Sequence, residues 1–492
     1  LGLFFGYIIT FSGNIQTIYS LFKSYNAETP VPFWDLTLAI STFPNGYWYP
    51  NATRFIYHTI HEFPSYSFVV ADLHGHVLGI PIVISLIAMA FVILLDKKIR
   101  IGLALLISFL ISSAYMTNAW DGLIYFGLFV NILLFMEFTK QKDKQFLRKA
   151  LNSGIGSIRY ILLIAISFFI FTLVFNQNFI PFASGIGLNC APDFLVKAGS
   201  LGPFVFEKDQ CQHTPIWQFF ILYGFFIYLI SSFILFLKGK RRIVPDQFVL
   251  IISFISILLI LTPEIIYLKD IYTGHFRANT MFKLAYQAFI MLSFASAYIF
   301  IRITSSFKSE LKNNISKIFF FIFIFWGIVL LFLVSIYPYF AVPSGYGDLK
   351  SYKGLNGINY LKELRPSDYL AINWINANVE KQPVILEAQG DSYTDFARIS
   401  ANTGLPTVLG WAVHEWLWRG SYDVPSARFS DIQSLYETKN ADIAQKIIKK
   451  YNISLIYIGK MENEKYKISE DKFFQLGQLI YKNWGTKIYK IH

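Results

Sequence analysis

Nine apolar runs, separated by short polar loops, constrain this chain more than any other feature. They cover 1–12, which is incomplete, then 77–95, 101–116, 123–138, 158–175, 217–237, 248–267, 284–301 and 318–339. A span needs about 20 consecutive apolar residues, so the pattern predicts an α-helical polytopic membrane protein of about nine spans. With 54% hydrophobic residues and only 15% charged ones over 492 residues, a soluble fold is excluded.

Lys and Arg set the expected orientation. Alternate loops carry Lys97, Lys98 and Arg100; Lys140, Lys142, Lys144, Arg148 and Lys149; Lys238, Lys240, Arg241 and Arg242; and Arg302, Lys308, Lys312 and Lys317. The intervening, longer loops are poor in them, and the positive-inside rule therefore places the first set in the cytoplasm. The net charge of +12 is then a property of cytoplasmic loops, and no nucleic-acid partner is expected. The lipid bilayer is the expected partner and a multi-pass cell membrane location follows. The chain starts at Leu1 in an apolar run with no basic stretch or small-residue cleavage site, so no signal peptide is expected.

This reading divides the chain into a transmembrane domain, 1–340, with outer loops 14–76, 176–214 and 268–284, and an extracytoplasmic domain, 341–492. In the latter, helical spacing at 368–379 and 441–450 alternates with strand-like runs at 383–387 and 453–458, which predicts a small α/β fold. All eight histidines and both cysteines fall on the outer side. Cys190 and Cys211 share one outer loop, where a disulfide is permitted; two free buried thiols are the other reading.

The densest polar stretch runs from His61 and Glu62 through Asp72, His74 and His76 to Pro81. In an extended chain Asp72, His74 and His76 project to one side, and in a helix Asp72 and His76 share a face. Either geometry gathers ligands for a divalent ion, Mg, Mn or Zn. The bland alternative is that the histidines cap a helix start and bind headgroups. Asp121 lies in the short turn 118–122, which is expected to hold it at the membrane surface. Glu264 follows Thr262 and Pro263 inside an apolar run, where an acid is costly. Arg277 and Lys283 place two cations at the outer mouth, suited either to a phosphate or to interfacial anchoring. In the tail, 387–420 is dense in Trp, Tyr, His, Glu and Arg and contains His414, Glu415 and Arg419. Such a run fits a sugar-binding cleft, or aromatic packing of a small domain on the membrane surface. No GxGxxG, P-loop, CxxC or GxSxG motif occurs.

HEFPSYSFVVADLHGHVLGIP at 61–81, NAWDG at 118–122, RANTMFK at 277–283 and EAQGDSYTDFARISANTGLPTVLGWAVHEWLWRG at 387–420 resemble the YYY membrane-protein family of the Chloroflexi and archaeal type. That family is grouped with the GT-C type membrane glycosyltransferases, so the resemblance implies a GT-C-like fold and transfer of a sugar from a polyprenyl-phosphate donor to an extracytoplasmic acceptor. The family's tyrosine triplet is absent from this sequence, and its N-terminal part is expected upstream of Leu1. Carried onto this chain, the implied roles are Glu62 or Asp72 as base, Asp72, His74 and His76 as metal ligands, and Asp121, Arg277, Lys283, His414, Glu415 and Arg419 as substrate-binding residues. A metal-dependent lipid-phosphate hydrolase or phosphotransferase would use the same groups with water as nucleophile. A non-catalytic envelope or transport protein is the remaining alternative.

Overall fold

Each apolar run becomes a helix, because a buried or lipid-facing backbone must satisfy its own hydrogen bonds. The computed structural model describes residues 1–26, 29–71, 73–141, 145–181, 183–270, 272–306, 314–350, 352 and 354–492. The expectations placed on Asp72, Lys142, Lys144, Lys308 and Lys312 fall outside the described residues.

Among the described residues, six helices are long and apolar enough to cross a membrane: Ala119–Lys140, Phe146–Asn178, Ile216–Phe236, Val244–Glu264, Ala278–Ser305 and Lys317–Tyr346. Gly2–Phe11, Ile80–Asp96 and Ile101–Thr117 are shorter apolar helices. Six of the nine expected spans are thus helices of full spanning length, and the other three runs form the shorter apolar helices. Ile80–Asp96 and Ile101–Thr117 have 17 residues each, which rise about 26 Å, at the short end of the range for a span. The run expected at 77–95 is also broken at its start, where a short turn, Gly75–Leu78, gives way at Gly79 to a new helix with Pro81 in its first turn. Pro is tolerated there because that N–H lacks an intrahelical acceptor anyway.

The chain falls into two compact units, Leu1–Lys350 and Ser351–His492. In the first, Ala278–Ser305 is the most buried of the six long helices. Its buried Ala285, Ala288, Ser293, Ala295, Ser296 and Ala297 present little bulk, which lets neighbouring helices approach closely. It packs on Gly2–Phe11, Ile216–Phe236 and the helix ending at Leu261. A small sheet lies between the spans, formed by β1 (Gly185–Leu188), β2 (Ser200–Leu201), β3 (Phe204–Val205) and β4 (Ile266–Lys269) in the order β2-β3-β1-β4. Only a glycine fits at position 187, since a Cβ there would sit 2.1 Å from the Tyr267 ring.

The second unit holds β5 (Val384–Leu386), β6 (Ile453–Ile458), β7 (Gly477–Asn483) and β8 (Thr486–Ile491) in the order β5-β6-β8-β7. β5 and β6 are parallel, and the other pairs are antiparallel. The two-residue period of a strand sends alternate side chains to opposite faces. Ile385, Leu455, Tyr457 and Ile488 join Ile372 and Ile375 of the helix Pro366–Asn378 in one core. Leu386, Ile456, Ile458 and Tyr489 join Ile432, Leu435, Ile447 and Ile448 of the helices Asp423–Glu437 and Ala441–Tyr451 in another. Helices therefore cover both faces of the sheet. Arg398, buried between them, is paired with Asp368 and Glu462.

Candidate functional site

In the first unit, the ends of Ile101–Thr117, Ala119–Lys140 and Ala278–Ser305 meet around the segment that carries His76. Pro64 opens the short helix Pro64–Val70, which closes on Ala71 in the left-handed region at φ 53°. His74 then caps the turn Gly75–Leu78. A Cβ on residue 75 would stand 2.0 Å from the Thr117 carbonyl oxygen, so glycine alone lets this turn press against the end of the helix Ile101–Thr117. That approach sets Gly75 against Asn118 and Gly79 against Asp121 at the start of Ala119–Lys140, and His76 against the first turns of Ala278–Ser305.

His76 is buried, with its ring edge-on to Phe282 and Tyr286, both 4.8 Å away. Its Nδ1 lies 3.4 Å from the Lys283 ammonium nitrogen and its Nε2 lies 3.5 Å from Ser67 Oγ. Burial first, then the charge of Lys283 and the neighbouring His74, pushes the imidazole down to about 3. It is therefore neutral near pH 7. A neutral ring that accepts from an ammonium at Nδ1 carries its proton on Nε2, facing the Ser67 hydroxyl. Lys283 also stands 4.4 Å over the Phe282 ring, a cation–π contact, and its side chain is only partly buried.

Asp121 is buried, and one oxygen accepts from the Asn118 amide at 2.8 Å. The Asp121 carboxylate also faces the Gln287 side chain, and the Tyr286 hydroxyl faces Ser67. Gln287 is tied to Tyr125, whose hydroxyl donates to its carbonyl oxygen at 2.8 Å. Lys283 is within electrostatic reach of Asp121, and Tyr286 is within reach of both Asp121 and Glu62. Glu62 accepts from Arg54 at 2.8 Å, with its side chain 11% exposed.

The structure brings His74, His76, Asp121 and Lys283 near one another; Glu62 pairs with Arg54 and reaches this group only through Tyr286. Asp72 lies outside the described residues. Of the expected metal ligands, His74 is exposed and His76 buried, with ring centres 5.7 Å apart. His76 fits an ion least: a dication at Nδ1 would meet the Lys283 ammonium at a repulsion on the order of 8 kcal/mol for a separation of about 4 Å and an effective dielectric constant of about 20. Asp121 lies in the first turn of Ala119–Lys140 and is buried under Gly79, where a Cβ would sit 3.2 Å from its Oδ2. Ser67, Asn118, Tyr286 and Gln287 were not singled out from sequence. The adjacent Tyr and Gln inside the apolar run 284–301 were the signal available.

Arg277 and Lys283 do not act as a pair of cations at one mouth. Arg277 is wholly buried and donates to Glu264 at 2.6 Å and to Thr214 at 3.2 Å. Burial draws the guanidinium below its ordinary value, against the opposing pull of Glu264. Glu264 is not a mid-span acid: Pro263 lies in the closing 3₁₀ turn of its helix, and the carboxylate also accepts from the Thr214 N–H and hydroxyl. Cys190 and Cys211 are joined by a disulfide, and the Asn189 side chain donates to the Gln212 and Glu264 carbonyls. The Arg277–Glu264 pair thereby clamps the disulfide loop to the end of the helix.

In the second unit, His414, Glu415 and Arg419 lie on the helix Ala412–Arg419. Glu415 accepts from the Gly410 N–H and from Arg419, each at 2.8 Å, and the His414 Nδ1 lies 2.9 Å from the Ser392 hydroxyl. They line one cleft together with Trp411 and Trp418.

The family model described as "Uncharacterized membrane protein (DUF2298)" matches residues 1–246 and 234–292. The chain belongs to this membrane-protein family. The match spans the whole cluster from Glu62 to Gln287 and the disulfide loop, so the site described above lies within the part of the chain that the family model covers. No curated protein matches the chain.

Proposed function

We propose that the chain is a membrane glycosyltransferase that moves a sugar from a polyprenyl-phosphate donor to an acceptor at the extracytoplasmic face, with Lys283 as the phosphate-binding group. The observation that carries this reading is the contact of the Lys283 ammonium with the neutral His76, beside the buried Asp121 at one end of the helix bundle. Glycosyl transfer from a lipid phosphate breaks the bond between the sugar's anomeric carbon and a phosphate oxygen and forms a bond from that carbon to an acceptor oxygen. The leaving phosphate gains charge, which a positioned cation stabilises. The acceptor's proton goes to a carboxylate, and Glu62 is the acid of the cluster that keeps some exposure. A helix end suits such a donor because its polyprenyl tail stays in the bilayer while its phosphate meets Lys283. His76 and Asp121 act through Lys283, as positioning residues.

The alternative with water as nucleophile uses the same groups. The test is incubation of the purified chain in liposomes with a radiolabelled polyprenyl-phosphate sugar and an extract of the cell envelope as acceptor. Label appearing on a non-water acceptor, lost in Lys283→Met and Glu62→Gln, supports transfer. Free sugar as the product supports hydrolysis instead, and no release of polyprenyl phosphate by the unaltered chain overturns both.

A further inference from the structure

The second unit has a cleft of about 570 Å³, within the roughly 300–1,000 Å³ of small-ligand sites. Three aromatic rings, Phe396, Trp411 and Trp418, share its wall with His414, Glu415 and Arg419. Trp418 is 66% exposed, a large apolar face left to solvent on a short helix. The Trp411 indole N–H donates to the Phe396 carbonyl at 3.0 Å, which fixes one aromatic wall. Tyr393, Trp411 and His414 form a ring cluster with centres 5.3 to 5.5 Å apart.

The polar half is also fixed. The Glu415 carboxylate is held by the Gly410 N–H and by Arg419, with Arg428 at 3.6 Å. An acceptor-only carboxylate beside a donor-only guanidinium presents both hydrogen-bonding senses within one short stretch of wall. Thr407 Oγ1, another wall residue, is buried without a partner among the described residues.

We infer that this cleft is a saccharide-binding site. A pyranose ring has apolar C–H faces, which stack on aromatic rings, and an edge of vicinal hydroxyls, which both donate and accept. That pair of demands matches Trp411 and Trp418 on one side and Glu415, Arg419 and His414 on the other. A lipid phosphate fits less well, because Glu415 places a carboxylate in the wall. The inference goes beyond the transfer chemistry proposed at Lys283 and is independent of it: sugar recognition here holds whether or not the chain transfers anything.

Saturation-transfer difference NMR on the full chain in nanodiscs tests it, with three free probes: mannotriose, N,N′-diacetylchitobiose and a trigalacturonate. At least one probe is expected to receive saturation from the unaltered chain, with the signal reduced about fivefold in Trp418→Ala and in Glu415→Gln. Trp484→Ala removes a tryptophan that is 79% exposed and is not part of the cleft wall, and it is expected to leave the signal unchanged. Because Trp418 is exposed, its removal leaves the core intact. No signal with any probe, equal signal in the unaltered chain and both cleft variants, or equal loss in Trp484→Ala overturns the inference.

Discussion

The Lys283 ammonium nitrogen lies 3.4 Å from Nδ1 of His76, so a cation near the end of a membrane-protein helix bundle is held by an imidazole that burial keeps neutral. The pairing works only in that protonation state. A charged His76 would repel Lys283 and lose its acceptor lone pair.

His76→Phe keeps an aromatic ring against Phe282 and Tyr286 but removes the acceptor. Loss of a hydrogen bond to a charged group is worth about 1.5 kcal/mol, so donor affinity is expected to fall about tenfold with the thermal midpoint little changed. A donor titration on the variant in detergent, alongside a melting curve, separates the two effects.

Arg277→Met is expected to act on stability rather than on substrate affinity. It leaves Glu264, 14% exposed, without its cation beside the disulfide loop, and breaking such a pair costs about 3–5 kcal/mol. The variant should melt well below the unaltered chain, and Arg277→Met combined with Glu264→Leu should recover much of the loss. A variant that melts normally but binds polyprenyl phosphate poorly would return Arg277 to the substrate.

His61 supplies a pH dependence. Its buried Nε2 accepts the Phe55 N–H at 3.1 Å, and burial, then Arg54, pushes the imidazole down to about 3. The unfolded chain takes up a proton near pH 6.5 while the folded one does not. Stability contributed by this group is therefore fully present above about 6.5 and declines as the pH falls toward about 3. Melting midpoints recorded from pH 8 to pH 4 should drop on the acid side, and His61→Gln should make that drop shallower.

The helices were legible because lipid and core burial both demand long apolar runs, and six of them have spanning length. The ends were less so. In the run 77–95 Gly79 and Pro81 are the local mark of the break, and the close approach of Gly75 to the Thr117 carbonyl is what the run does not encode. The site was half legible. His76, Asp121 and Lys283 stood out as ionisable residues beside apolar runs, but the burial of Asp121 under Gly79 is not readable from those runs. Arg277 and Lys283, six residues apart, look equivalent in sequence. They diverge because the chain between Pro263 and Arg277 passes through β4 and returns, setting Glu264 against Arg277, a contact that no local pattern encodes. Tyr286 and Gln287 carry little local signal, because isolated polar residues in a span are common, and only the fold sets Gln287 beside Asp121 and Tyr286 beside Ser67.

The central claim is that Lys283 holds the phosphate of a polyprenyl phosphate. Native mass spectrometry of the full chain released from nanodiscs doped with polyprenyl phosphate measures this directly, with Lys283→Met as the variant and Lys269→Met, which removes the partner of Glu207, as the control. The account predicts a retained lipid phosphate on the unaltered chain and on the control, and a loss of about tenfold or more in Lys283→Met. Equal retention by all three proteins, or loss only in the control, would contradict it.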